Sequence, residues 1–426
     1  MDRLSVISGH LSSSAQPAPA TSTTPSSPTR SGRKSALVDP LQFMQLDAML
    51  SAGERSLRQR ARRVLEEGRD DKLLNELYER AEFSPALVDL AKQLGPAGLQ
   101  IKGNGCPGLT QSETLVLAIE LGRLDASFAT FYLVHSGLAM ASINVAGTPE
   151  QKARWLPRMA RYELIGAFGL TEPDYGSNAT GLQTTARKVP GGWVLNGHKR
   201  WIGNATFCDI IVVWARDTAS NAIKGFVVEK GMKGFKPHKI DNKMSLRIVQ
   251  NADFVLDECF VPEDNHLSAA KKFSDGTQMV LESSRAVVAA SAAGCLLGAY
   301  ERALQYCMDR TQFNKPLASF QLVQERLMRA LGHLQASILT VIRLGRMMDE
   351  GQATMAQIAL AKAWVTRTAR EAVALCREVV GGNGIISDFG TIKPLMDLEA
   401  IYTYEGTYDV NMLIAGRLVT GLSAFV

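Results

Sequence analysis

Paired cysteines are missing from this 426-residue chain: Cys106, Cys208, Cys259, Cys295, Cys307 and Cys376 lie far apart, with no CxxC spacing. That excludes a zinc ribbon or a disulfide framework and points to a reducing compartment. The six histidines show no ligand spacing either, so no metal site is expected. No uninterrupted apolar run approaches the roughly 18 to 20 residues of a membrane span, and no membrane partner is expected. Charge of one sign is also scarce. The net charge is +5, and Arg3, Arg30, Arg33 and Lys34 of the N-terminal arm carry a good part of it, leaving no basic stripe for a nucleic acid. What remains is 46% hydrophobic and 21% charged, an ordinary globular composition in a chain long enough for two or three cooperative units.

Residues 1–34 read as a targeting segment and disordered tether, because SSSAQPAPATSTTPSSPTRSGRK offers almost nothing to bury. Ahead of the tether, MDRLSVISGHL places Arg3-Leu4 five residues before His10-Leu11, similar to the N-terminal nonapeptide read by the peroxisomal import receptor. A basic, Ser-rich mitochondrial presequence is the alternative. Residues 35–162 carry apolar positions three and four apart and form an expected helical domain. Its buried pair is SETLVLAIELGRL and SFATFYLVHSGLAMASINVAG, and His135 within it reads as a satisfied core or pocket-wall histidine. From 163 to 272 the period shortens to strands such as CDIIVVWAR and ADFVLDECFVP, broken by turn pairs such as Asn196-Gly197, which predicts an antiparallel β domain. Helical spacing returns over 273–426 in four runs, expected as a four-helix bundle. The fold class is therefore α+β: an N-terminal α-helical domain, a middle antiparallel β domain and a C-terminal bundle.

Near the end of the chain, Ile401 to Arg417 reads IYTYEGTYDVNMLIAGR. Glu405 stands among Tyr402, Tyr404 and Tyr408 and is followed by Gly406, so the carboxylate is expected in a poorly hydrated pocket suited to a base. The glycine lets a flat group approach the backbone closely. Four other segments carry chemistry. Phe168 to Ser177 reads FGLTEPDYGS, where Gly169 and Gly176 open the backbone and Thr171 and Ser177 offer hydroxyls. Lys199 to Asn204 reads KRWIGN, Asp309 to Leu317 reads DRTQFNKPL and continues to Phe320-Gln321, and Glu378 to Gly384 reads EVVGGNG.

These segments, in this order and spacing from about residue 40 to the C-terminus, resemble the acyl-CoA dehydrogenase and acyl-CoA oxidase superfamily. The resemblance implies FAD as cofactor. It would place Phe168, Leu170, Thr171, Gly176, Ser177, Trp201, Ile202, Gly203 and Thr407 around the flavin, with Phe425 against it. Arg310, Gln312, Phe313, Gln321, Glu378, Gly381 and Gly382 would reach the FAD of a neighbouring subunit, so a homo-oligomer, a dimer of dimers, is implied. Ser177, Glu282, Arg285 and Gly406 would meet the acyl-CoA. Glu405 would take the α-proton of the thioester while the β-hydrogen leaves as hydride to the flavin. Gly203 stands where the common dehydrogenase pattern has threonine, which resembles the plant short-chain peroxisomal oxidases and implies oxygen as acceptor, peroxide as product and a place in fatty-acid β-oxidation. An acyl-CoA dehydrogenase passing electrons to an electron-transfer flavoprotein is the alternative. Leu99 to Gly108, Lys243 to Arg247 and the Glu405 stretch are similar to the glutaryl-CoA dehydrogenase branch. The arginine with which that branch holds a distal carboxylate falls at Ala129, so a short unsubstituted acyl chain over an apolar floor is expected.

Overall fold

The computed structural model describes residues 39–270 and 273–424. Its first part is helical: α1 (Ala52–Glu67), α2 (Asp71–Arg80), α3 (Pro85–Leu94), α4 (Gln111–Leu124), α5 (Ala126–Leu133), α6 (Ala141–Ala146) and α7 (Pro149–Ala160). Local chemistry sets the starts. Ser51 with Glu54, Thr110 with Glu113 and Thr148 with Gln151 form capping boxes at α1, α4 and α7. Between α5 and α6 the helix widens into a π segment, Val134–Met140, a change of pitch that apolar periodicity does not encode.

An eight-stranded sheet follows: β1 (Gly166–Gly169), β2 (Thr185–Val189), β3 (Gly192–Ile202), β4 (Ile210–Asp217), β5 (Ile223–Glu229), β6 (Phe235–Lys239), β7 (Ala252–Pro262) and β8 (His266–Leu267). Most neighbours pair antiparallel, as expected, in the order β8-β5-β4-β2-β3-β7-β6. Two registers differ. β1 runs parallel to β4, Gly166 opposite Ile210, and β2 runs parallel to the far end of β4, Thr185 opposite Arg216. The two are pieces of one line along the same side of β4, interrupted where 170–184 leaves the sheet. That excursion carries Thr171, Gly176 and Ser177, so the parallel register delivers the loop to the site.

The last part holds α8 (Phe273–Asp309), α9 (Gln321–Asp349), α10 (Met355–Val379), α11 (Ile392–Thr403) and α12 (Tyr408–Thr420). α11 is one helix more than the four expected. Its sequence, IKPLMDLEAIYT, carries a proline in its first turn, where a missing N–H is harmless, and shows little amphipathic contrast. α8 crosses α4 at backbone contact: a Cβ at Gly294 would lie 2.0 Å from the Ile119 carbonyl oxygen, and one at Gly122 would lie 2.2 Å from that of Ser291. α4 is consequently buried on all sides. Leu117, Leu121 and Leu124 join the core shared with the sheet, and Leu115, Val116 and Ile119 join the core of the bundle. The segments Ala126–Ala146 and Phe273–Asp309 are long and apolar enough to cross a membrane, but most of each is buried inside the protein.

Candidate active site

Where the excursion from the sheet, the π segment, α8 and the α11–α12 connection meet, they enclose a cavity of about 700 Å³. Phe168, Leu170, Thr171, Gly176, Ser177, Trp201, Ile202, Gly203, Arg285, Glu405, Gly406 and Thr407 all line it. Parts of 168–177, 201–203 and 405–407, far apart in sequence, are therefore brought to one cavity.

The loop is fixed from beneath by a buried ion pair. Glu172 accepts from Lys199 Nζ at 2.9 Å, from the Thr184 N–H at 2.8 Å and hydroxyl at 2.5 Å, and from the Gln183 N–H at 2.6 Å. Lys199 also donates to the Leu170 carbonyl at 2.9 Å. Burial brings the Lys199 ammonium down to about 8 even beside Glu172. Trp201 is held in the left-handed region at φ 66°, with its carbonyl accepting from Asn251 Nδ2 at 3.0 Å and its ring under the Arg200 guanidinium at 4.9 Å. A bulky side chain in that conformation is strained, and the indole stays 52% exposed at the cavity. The Gly176 side of the loop is open, since a Cβ there would meet nothing within 4 Å. An aromatic wall, a bare backbone and two hydroxyls facing one apolar cavity fit a large planar cofactor carrying polar substituents.

Glu405 sits at the apex of the α11–α12 connection with φ 55°, followed by Gly406 at φ 83°. Its carboxylate accepts from Ser284 Oγ at 2.7 Å. Its carbonyl accepts from Arg285 Nε at 3.2 Å and Asn411 Nδ2 at 3.3 Å, and Lys362 Nζ donates to the flanking carbonyls of Tyr402 and Gly406. The expected aromatic enclosure is not what forms. Tyr402 stacks on Tyr408 at 5.5 Å and lies against Arg370, away from the cavity, and only Tyr404 lines it, 3.4 Å from Thr130 Oγ1. Adjacent side chains on a helix end point to different sides, so sequence neighbours of Glu405 could not all surround it. Thr407 caps α12 by accepting from the Val410 N–H at 3.2 Å while lining the cavity.

Other expected positions fall elsewhere. Glu282 does not line the cavity; its charge faces Arg285. Arg310, Gln312, Phe313, Gln321, Glu378, Gly381 and Gly382 are exposed and outside the cavity. Glu378 pairs with Arg326 at 3.0 Å. Phe313 stands at a hairpin turn at φ 50°, with its ring 84% exposed. Phe425 and the nonapeptide around Arg3 and His10 lie outside the described residues. Ala129 is buried in the core rather than in the cavity wall. Gln100, Thr114, Thr130, Ser136 and Ser283 place some polar groups in the mostly apolar cavity lining, beside Leu99, Leu133 and Leu138. His135 is the satisfied core histidine expected: its Nδ1 accepts from the Gly166 N–H at 2.9 Å, and Nε2 lies 3.0 Å from the Met159 carbonyl.

Sequence reasoning passed over Ser284, Lys362 and Asn411. Lys362 left a signal, a lone cation inside the apolar run IALAKAWV. Ser284 left none beyond standing next to Arg285.

A cavity with an aromatic wall and a carboxylate residue in its lining suits a planar redox cofactor set beside an acid–base group. Family models for the acyl-CoA dehydrogenase N-terminal, middle and C-terminal domains match residues 51–163, 167–259 and 275–420. The chain belongs to the acyl-CoA dehydrogenase family, and its cofactor is FAD. It is similar to a mitochondrial isovaleryl-CoA dehydrogenase of Arabidopsis thaliana, 31% identical over 349 residues, covering 80% of this chain and 85% of the relative. A subunit of a caffeyl-CoA reductase–Etf complex of Acetobacterium woodii is 28% identical, with 87% and 99% covered. The crystal structure of a glutaryl-CoA dehydrogenase from Mycobacterium smegmatis in complex with FADH2 matches with a TM-score of 0.88 at 34% identity, covering 92% of this chain and all of that one. These relatives are dehydrogenases and a reductase, so the resemblance holds at the level of the family and not of an oxidase.

Proposed function

We propose that the chain catalyses FAD-dependent α,β-dehydrogenation of a short-chain acyl-CoA, with Glu405 as the base and an electron-transfer flavoprotein as acceptor. The observation that carries the reading is the Glu405 carboxylate, oriented by Ser284 and opening into the same cavity as Thr171, Trp201 and Gly203. Bound FAD supplies the two-electron acceptor for the substrate's β-hydrogen. Phe168, Leu170, Thr171, Ser177, Trp201 and Thr407 hold that group, and Glu405 removes the α-proton. The Glu405 N–H is available to steady the thioester oxygen as negative charge develops on it. Both cations in the lining are engaged: Arg285 by the Glu405 carbonyl, and Lys243 by Leu246 O, Val249 O and Asn251 Oδ1 at 2.8, 2.8 and 2.7 Å. Ala129, at the position of the arginine of the glutaryl-CoA branch, supplies no cation, which favours an unsubstituted short acyl chain. The exposed set around Arg310, Phe313 and Gly381 suits contact with the FAD of a second copy, hence a homo-oligomer.

The names of the dehydrogenase relatives and of the Etf-complex subunit support the flavoprotein acceptor, and the mitochondrial names support the matrix. Oxygen as acceptor is a second reading favoured by Gly203, which lines the cavity without a hydroxyl, and the Arg3–Leu11 pattern adds a peroxisomal address read by the import receptor. Purified FAD-loaded protein mixed with butyryl-CoA separates the two. Turnover only with an electron-transfer flavoprotein or dye supports the first, and peroxide under air without either supports the second. Flavin that stays oxidised with every short acyl-CoA would end both. A fluorescent protein carrying residues 1–34 reports the compartment.

A further inference from the structure

Lys362 is fully buried on α10, and its Nζ donates to the Tyr402 carbonyl at 2.9 Å and the Gly406 carbonyl at 2.8 Å. Burial lowers its pKa to about 7, against the pull of the Glu405 charge, and Arg285 adds to the lowering. An apolar residue in its place would fill the site without that desolvation. What the cation gains is geometric. Tyr402 is in the last turn of α11, where carbonyls lack helical partners and a cation is favoured, and Gly406 precedes the Thr407 cap of α12. The ammonium therefore ties the end of one helix to the start of the next, with Glu405 at the apex between its two acceptors. Glu405 and Gly406 are consecutive left-handed residues, a conformation that a non-glycine residue holds only when its surroundings over-determine it. Asn411 supplies the rest of the restraint from α12, donating to the Gly406 carbonyl at 2.8 Å and the Thr407 carbonyl at 3.1 Å.

We propose that Lys362 is a positioning residue for the base: by bridging the Tyr402 and Gly406 carbonyls it holds Glu405 in its left-handed conformation, with the carboxylate aimed at the substrate's α-carbon. It acts through the backbone of Glu405 and does not line the cavity. The inference rests on Glu405 being the base.

The test uses FAD-loaded protein and the Lys362→Met variant, which keeps the length of the side chain and removes its donors. Amide hydrogen exchange in peptides spanning Ile401 to Arg417 is expected to quicken by about ten-fold or more, while peptides of α9 keep wild-type exchange. In steady state with butyryl-CoA, kcat is expected to fall by about ten-fold or more with KM within about two-fold, because the cavity walls are untouched and only the alignment of the base is lost. Unchanged exchange in 401–417, or loss spread evenly over all peptides, overturns the proposal, as does a kcat within about two-fold of wild type. Should Lys362→Met fail to take up FAD, Lys362→Leu, which also lacks donors, replaces it with the same thresholds. Wild-type flavin that no acyl-CoA reduces would refute the role of Glu405, whereas the exchange measurement still decides whether Lys362 holds the segment.

Discussion

Replacing Glu172 by glutamine tests how the cofactor loop is held. In the wild type, one carboxylate oxygen accepts from the Thr184 N–H, the Thr184 hydroxyl and Lys199, and the other accepts from the Gln183 N–H. A glutamine can satisfy the first set with its carbonyl, but its amide then faces the Gln183 N–H, donor against donor. Lys199, fully buried, also loses its counter-charge. At pH 7 the lysine sheds its proton rather than remain charged; because the wild-type ammonium already titrates at about 8, this part of the loss is about 1.4 kcal/mol, and the unpaired Gln183 N–H adds about 1–3 kcal/mol. The sum, about 2–4 kcal/mol, overlaps the roughly 3–5 kcal/mol typical when one partner of a buried pair is removed, a large part of a typical domain's stability. The sign of the pH dependence follows. The folded-state value of Lys199 lies below its unfolded value, so the neutral form is favoured on folding and stability is lost as pH falls. Raising pH from 7 to 9 should recover about 1.4 kcal/mol of the Glu172→Gln deficit, because wild type, with Lys199 at about 8, gains part of the same stabilisation. The Glu172→Gln, Lys199→Met double variant should be less destabilised than Glu172→Gln alone. Thermal unfolding across pH and the bound FAD per chain are the assays. A Glu172→Gln protein that melts with wild type at pH 7 and retains its FAD would refute the account of the loop.

Glu405→Gln should reduce flavin reduction by butyryl-CoA by roughly 10²- to 10⁴-fold while FAD stays bound, as stopped-flow absorbance would show. Gly294→Ala forces a methyl to within 2.0 Å of the Ile119 carbonyl, so α4 and α8 must separate; a loss of about 1–3 kcal/mol is expected in denaturant unfolding. Lys243→Met leaves the Leu246 and Val249 carbonyls and Asn251 without their shared donor, and a raised KM with unchanged FAD content is the expected outcome. Asp397 is buried and pushed up to about 7 by desolvation first and by Asp125 second. Because its folded-state value lies above its unfolded one, its protonated form is favoured on folding, and Asp397→Asn should flatten the loss of stability as pH rises from about 4 to 7.

Much of this protein was written in its sequence. Capping boxes and apolar spacing determined where helices begin and which faces they bury; the shorter period from Gly166 to Leu267 determined the sheet; the segments at Phe168, Trp201 and Glu405 determined the family. Those signals are local or carried by residue type, and both survive without coordinates. Tertiary structure alone decided that β1 and β2 share one side of β4, that the π segment turns Val134 and Gly137 toward the cavity, and that Tyr402 and Tyr408 stack on each other instead of around the base. It also brought Ser284 and Lys362, 121 and 40 or more positions away from their partners, to Glu405 and its neighbours. Such contacts depend on how α8, α10 and the α11–α12 connection pack, and packing is a property of all the elements together, which no single stretch of chain encodes.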